Sequence, residues 1–262
     1  MSDGTPLLAL RGVSKRFGAV QALSGVDFEV DAGEVVALVG DNGAGKSTLV
    51  KVIAGTNPAD AGTILFEGER VTITSPQAAT ALGIATVYQD LALSDNLDVV
   101  ANLFLGRERS RGVGRNLRVL DEVDMEHKAL GLLERLSVSI PSVRTEVASL
   151  SGGQRQSIAV ARATMGDPKV VILDEPTAAL GVAQTQQVLD LIKLLREEGH
   201  GVIIISHNLV DVFAVADRIV VLRLGKRVAS FTTADTTAEE VVAAITGARH
   251  EEVHSTYATE AS

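Results

Sequence analysis

Cysteine and tryptophan are both absent from the 262 residues, and aromatic residues make up only 3%. Without cysteine there can be no disulfide and no thiolate metal site, and a reducing cytosolic setting fits. With so few aromatics, stacking platforms for the bases of a nucleic acid are scarce. Positive charge is also short: 24 Lys and Arg stand against 33 Asp and Glu, a net charge of −9. A nucleic-acid binder carries a basic face, so no nucleic-acid partner is expected. The arginines that do cluster, Arg107, Arg109, Arg111, Arg115 and Arg118, read as a solvated loop with acidic neighbours. No apolar run is long enough to cross a bilayer. The opening Met1-Ser2-Asp3-Gly4 lacks the basic flank and apolar core of a signal peptide. The expectation is a soluble protein that can still dock on a membrane protein. Apolar residues, by contrast, reach 46%, enough for one large α/β domain or a domain with an inserted lobe.

The chain reads as an α/β fold. Val26, Phe28 and Val30 alternate with Asp27, Glu29 and Asp31, the period of a half-buried strand, so residues 7–34 are expected to form an antiparallel β edge. Short strands follow over 63–75, broken at Glu67-Gly68-Glu69, and Ile84 to Tyr88 reads as another strand running into Gln89. From about Asp90 to Ala163 the period becomes helical, with a helix near 124–136, as for a helical lobe inserted into the α/β core. Parallel strands resume at Val170-Val171-Ile172-Leu173 and Val202-Ile203-Ile204-Ile205. Between them Val188, Leu191, Ile192 and Leu195 make one apolar helical stripe. Residues 217–231 read as a closing strand pair with a Gly225-Lys226 turn, 237–246 as a final helix, and the polar tail 249–262 is expected to fray.

Two segments carry chemistry. Gly40-Asp41-Asn42-Gly43-Ala44-Gly45-Lys46-Ser47-Thr48 fits G-x-x-x-x-G-K-[ST], after the apolar strand Val35 to Val39 and before a helix. Small residues there let backbone N–H groups turn inward around an anion, and the helix start adds unsatisfied donors. Lys46 brings a full charge to the outer phosphates, and the Ser47 hydroxyl suits a hard cation such as Mg2+. Asp174-Glu175 closes an apolar strand, at the edge where ligands bind in parallel sheets. Asp174 is placed to hold Mg2+, directly or through water, and Glu175 to polarise the water attacking a γ-phosphate.

Leu150-Ser151-Gly152-Gly153-Gln154, followed about twenty residues later by Leu173-Asp174-Glu175-Pro176-Thr177, resembles the nucleotide-binding subunit of an ATP-binding cassette (ABC) transporter over roughly residues 7–248. Ser151, Gly152 and Gly153 open a helix and offer a second anion-binding end; in the family this signature, with Gln154, binds the γ-phosphate of ATP held by the other subunit. The resemblance implies a P-loop NTPase core with a mixed, largely parallel sheet, ATP and Mg2+ as cofactors, and a homodimer or paired cassette. It also implies transmembrane permease subunits, indirectly a sugar-binding protein, and a peripheral place on the inner face of the membrane. Gln89 matches the glutamine that senses Mg2+ and touches the membrane subunits. His207 matches the switch histidine, Phe17 the aromatic that stacks on adenine, and Glu146 a region near the membrane partner. Gly181 departs from the pattern, standing where an aspartate is usual. Thr177-Ala178-Ala179-Leu180-Gly181, Val87 to Leu93, Asn102 to Glu108 and Ser206 to Leu209 are similar to ATPases of bacterial monosaccharide importers, here as a single cassette.

Two other functions compete. One is a soluble cassette ATPase working on macromolecules: DNA-repair and cohesin-like members insert long heptad coiled coils between the phosphate loop and the signature, which this chain lacks, and translation-factor cassettes are usually tandem and basic, which it is not. An iron–sulfur assembly ATPase is similar in size, but its signature usually differs. A binding-only regulatory subunit is mildly favoured by Gly181 and opposed by Lys46, Asp174, Glu175 and His207.

Overall fold

A computed structural model describes residues 5–113 and 117–248; Arg115 and the tail 249–262 lie outside them. The chain opens with β1 (Leu8–Phe17), β2 (Val20–Val30) and β3 (Val35–Val39), then α1 (Lys46–Ile53), β4 (Ala61–Phe66), β5 (Glu69–Val71), α2 (Pro76–Ala81) and β6 (Ile84–Val87). It continues with α3 (Val99–Phe104), β7 (Ser110–Val113), β8 (Leu117–Leu120), α4 (Glu122–Arg135) and α5 (Gly152–Thr164). Last come β9 (Val170–Asp174), α6 (Val182–Glu197), β10 (Gly201–Ile205), α7 (Leu209–Val215), β11 (Arg218–Arg223), β12 (Lys226–Thr232) and α8 (Ala238–Thr246).

One sheet has the order β2-β1-β4-β5 and is antiparallel throughout. The other has six strands in the order β12-β11-β3-β10-β9-β6, all neighbours parallel except the β11–β12 hairpin. The apolar runs of β3, β9 and β10 follow from burial on both faces. Val35, Ala37 and Val39 point into a core shared with α5 and α6, while Val36 and Leu38 point into a second core. That second core holds Leu8, Val26 and Phe28 of the antiparallel sheet and Leu49, Val50 and Ile53 of α1. The phosphate loop, at the carboxyl end of β3, is thus braced by two cores.

β6 and β9 are neighbours in the six-stranded sheet, so everything between them in sequence is an excursion from it. That excursion contains α3, α4 and α5, with a hairpin where the arginine-rich segment was expected to be a loop. β7 pairs antiparallel with β8 from Ser110↔Leu120 to Val113↔Leu117. The hairpin is short: Leu117 and Val119 flank Arg118 in β8, but Ser110-Arg111-Gly112-Val113 of β7 shows no apolar alternation to match it. Arg109 pairs with Asp124, which also takes an ion pair from Lys128 at 3.0 Å. The closing hairpin is offset by one residue from expectation: its two-residue turn is Leu224-Gly225, with φ +47° and +74°, and Lys226 already lies in β12.

Candidate nucleotide site

The phosphate loop surrounds a cavity of about 630 Å3. Residues 42–48 form its floor, and Gln89, Asp174 and Glu175 also line it. Gly40 has φ +149°, and a Cβ on it would lie 2.2 Å from the Leu222 carbonyl oxygen. Only glycine lets the loop start this close to β11. Lys46 folds back over the loop and donates to the carbonyls of Gly40 (2.6 Å) and Asp41 (3.0 Å). Its ammonium is therefore pinned across the mouth of the anion site. Burial lowers the Lys46 pKa, and the negative charges of Glu175, Asp41 and Asp174 oppose that fall. The loop opens directly into α1, whose first-turn N–H groups add donors.

Facing the lysine, β9 ends in Asp174, next to Glu175. Glu175 sits in the left-handed region at φ +52°, a conformation that costs a non-glycine residue of order 1–3 kcal/mol and recurs at functional sites. Its N–H donates to Ile205 O (2.9 Å) and its carbonyl accepts from Ala178 N–H (3.1 Å), which hold the turn. The Glu175 Oε2 lies 2.8 Å from Nδ1 of His207. A carboxylate only accepts, so Nδ1–H is the donor and Nε2 stays free. The His207 side chain is 75% exposed and that of Glu175 19%: the imidazole reaches in from the rim to orient a largely enclosed carboxylate. Burial raises the pKa of Asp174, the adjacent Glu175 raises it further, and Lys46 and Lys51 pull it down. Two crowded acids beside a Ser hydroxyl and a Gln amide form an all-oxygen donor set, the chemistry of Mg2+. Among the described residues no group of three or more His, Cys, Asp or Glu could hold a metal alone.

Ser151, Gly152, Gly153 and Gln154 do not line this cavity. They open α5, and Ser151 and Gln154 close a reciprocal capping box, Gln154 N–H to Ser151 Oγ at 3.3 Å and Ser151 N–H to Gln154 Oε1 at 3.0 Å. The Gln154 Nε2 donates to Ser139 O at 3.1 Å, so this amide is spent on positioning the helix end. Sequence reasoning also missed a second use of the signature glycines. A Cβ on Gly153 would meet Cβ of Gln184 at 2.8 Å, and one on Gly152 would meet Leu180 Cδ2 at 3.0 Å. The signature helix is pressed against the start of α6, one residue past Gly181, which has open space about it.

Phe17 pairs with Val20 across β1 and β2 and is 46% exposed, with Lys15 Nζ 5.7 Å from its ring centroid. It is not among the lining residues; Val20, Gln21, Ala22, Leu224 and Gly225 are. No motif marked these five, because they lie some two hundred residues apart in two separate hairpins. Glu146 is exposed and forms an isolated bridge with Asp98, away from the cavity.

The sequence model of the ABC transporter family matches residues 23–178. The xylose/arabinose import ATP-binding protein of Sulfolobus acidocaldarius is 46% identical over 246 residues, covering 94% of this chain and 95% of that protein. The fructose import ATP-binding protein of Rhizobium meliloti is 47% identical over 247 residues, covering 93% and 95%. A ribose import ATP-binding protein of Rubrobacter xylanophilus is 43% identical over 247 residues, and there the chain spans 48% of the relative's length. The fold is similar to the ADP conformation of MJ1267, an ATP-binding cassette of an ABC transporter, with a TM-score of 0.77, 28% identity, and coverage of 92% and 95%. Among the described residues no helix is long and apolar enough to cross a membrane. With the phosphate loop, the acid pair and the signature helix all falling on this shared framework, the chain belongs to the ABC transporter family.

Proposed function

We propose that this chain is the ATP-binding and ATP-hydrolysing subunit of a monosaccharide importer, working from the cytoplasmic face on separate permease subunits. The observation that carries the hydrolytic part is the Glu175–His207 pair, a carboxylate fixed at 2.8 Å by a rim imidazole and opposite the phosphate-loop lysine. Residues 42–48 bind the triphosphate through backbone N–H groups, and Lys46 holds its outer oxygens. Ser47, Gln89 and Asp174 would hold Mg2+, which when bound neutralises charge on those oxygens. Glu175 accepts a proton from water as the water oxygen bonds to the γ-phosphorus and the bond to the β-phosphate oxygen breaks, leaving ADP. His207 keeps the accepting carboxylate aimed.

The position of the signature favours a pair of copies. The α5 end, capped and ready for an anion, lies outside its own chain's cavity. A second copy that turns this end toward the γ-phosphate would complete the site, so that ATP joins two cassettes. Binding one global arrangement better than the other is what lets ATP drive a permease. The monosaccharide class rests on the sugar-import relatives, which match along nearly the whole chain. Co-expression with the permease and sugar-binding protein of the same operon tests this. A membrane-bound complex whose ATPase rises when the binding protein is sugar-loaded is the expected result. A chain that purifies free of any membrane protein, with ATPase stimulated instead by DNA or an iron–sulfur scaffold, would replace the importer reading with the soluble one.

A further inference from the structure

Asn102 does not line the nucleotide cavity. It lies in α3 among Val99, Val100, Leu103 and Phe104, all part of the apolar core, and is itself 0% exposed. Leucine has the same branched outline and would bring no polar group to satisfy. A buried amide is tolerated only where its donors and acceptor find partners, and here they do. Oδ1 accepts from Ser94 N–H at 2.7 Å, and Nδ2 donates to the carbonyls of Ser94 (3.0 Å), Leu97 (3.2 Å) and Asp98 (3.0 Å). Every partner is main chain, and all lie in the segment 94–98. No residue of that segment is buried, so no core side chain pins it. The amide does so instead.

That segment in turn holds the approach to the signature. Val147 N–H donates to Leu97 O and Ala148 N–H to Asp95 O, both at 3.0 Å. In the other direction Val99 N–H donates to Thr145 O and Val100 N–H to Val143 O, both at 3.2 Å. Asp98 and Glu146 bridge the two runs. Two exposed ion pairs run alongside, Arg144 to Asp98 at 3.3 Å and Arg155 of α5 to Asp95 at 3.8 Å. Leu150 N–H then donates to Val147 O at 3.1 Å, and the next residue is Ser151, the N-cap of α5. A continuous set of hydrogen bonds thus leads from one buried amide to 94–98, on to 143–148, and to the signature.

We infer that Asn102 is a positioning residue for the signature: its amide fixes residues 94–98, and through their ladder to 143–148 sets where Ser151 and the start of α5 stand when a second copy presents its γ-phosphate. This rests on the reading that ATP joins two cassettes. None of these bonds reaches the chain's own phosphate loop. The effect therefore falls on pairing and turnover and spares ATP binding by the single chain.

The test separates those steps. Asn102→Leu removes all of the amide's bonds, and Asn102→Ser leaves a hydroxyl that reaches only the Asp98 carbonyl one turn back. Each is made in the wild-type chain and in Glu175→Gln. A fluorescent ATP gives affinity at protein concentrations too dilute for pairing, light scattering gives mass with Mg-ATP, phosphate release gives turnover, and hydrogen exchange is read by mass spectrometry. ATP affinity should be unchanged. Turnover should fall about a hundredfold, as for a misplacement of about 1 Å remote from the chemistry, and the Glu175→Gln chain should no longer double its mass. Exchange should rise over 94–102 and 143–154 and stay level over 40–48. Weakened ATP binding with faster exchange over 40–48 as well overturns the proposal, since Asn102 would then only stabilise the fold. Undiminished pairing and turnover in both variants also overturns it and leaves the paired cassettes standing. Glu175→Gln that stays single with Asn102 in place would instead remove the paired reading, and the proposal with it.

Discussion

Replacing Glu175 by Gln isolates one charge from everything that positions it. Gln has the same shape, and the left-handed backbone at φ +52° is no harder for it than for Glu. The bonds from the residue 175 main chain to Ile205 and Ala178 are untouched. What goes is a negative charge 2.8 Å from Nδ1 of His207, next to Asp174 and near Lys46. A positioned general base contributes about 10²–10⁴ to the rate, or about 2.7–5.4 kcal/mol at 1.36 kcal/mol per decade. Ground-state binding should move the other way. Glu175 faces a site built for a polyanion, so neutralising it removes repulsion and ATP affinity should hold or rise. Phosphate release at saturating Mg-ATP gives turnover, titration with a fluorescent ATP gives affinity, and light scattering after gel filtration gives mass. The expected result is turnover down by about 10²–10⁴, affinity equal or tighter, and a doubled mass with Mg-ATP. Turnover near that of wild type would refute the role of Glu175 in water activation. Strongly weakened ATP binding would show that Glu175 holds the nucleotide instead.

Gly153→Ala puts a methyl 2.8 Å from Gln184 Cβ and should destabilise the fold by about 1–3 kcal/mol as α5 and α6 part. Calorimetric melting should show a fall of about 2–4 °C per kcal/mol for a chain of this size; an unchanged melting temperature would mean the helices are free to separate. Asp174→Asn should raise the melting temperature of the Mg-free protein while abolishing Mg-dependent ATPase. Because burial and Glu175 raise the folded-state pKa of Asp174, its ionised form costs stability above that pKa. The cost disappears as pH falls through the folded pKa toward the ordinary aspartate value, so the advantage of Asn should be present at neutral pH and vanish in acid. An advantage that grows on acidification would contradict the assigned shift.

Parts of this protein are legible in its sequence because physics restricts which residues can serve. β3, β9 and β10 are buried on both faces, and such strands can only be continuous apolar runs. The phosphate loop needs glycine where Gly40 passes β11, and a cation where Lys46 crosses the mouth. Asp174 and Glu175 must end an apolar strand to stand at the crevice. The β7–β8 hairpin was hidden because its strands are four residues each and one of them, Ser110 to Val113, has no period to read. The packing of Gly153 on Gln184 was hidden behind a motif that already had an explanation, and capping alone does not require a glycine at that distance.

The cavity mouth is the most instructive failure. An apolar contact can be made by many side chains, so Val20 and Ala22 carry no signature. Their neighbour in space, Leu224, comes from the far end of the chain, and no local pattern joins the two hairpins. Leu224 did break a local rule, but only once the turn is placed at 224–225. Setting it one residue later, at Gly225-Lys226, turns the leucine into an ordinary strand residue and erases the anomaly. A strained apolar residue shows as an anomaly only where register is known, because the strain belongs to the backbone position rather than to the residue. The phosphate loop is therefore written in residue types, while the contribution of Val20, Ala22 and Leu224 to the cavity wall lies in geometry that appears when the two hairpins meet.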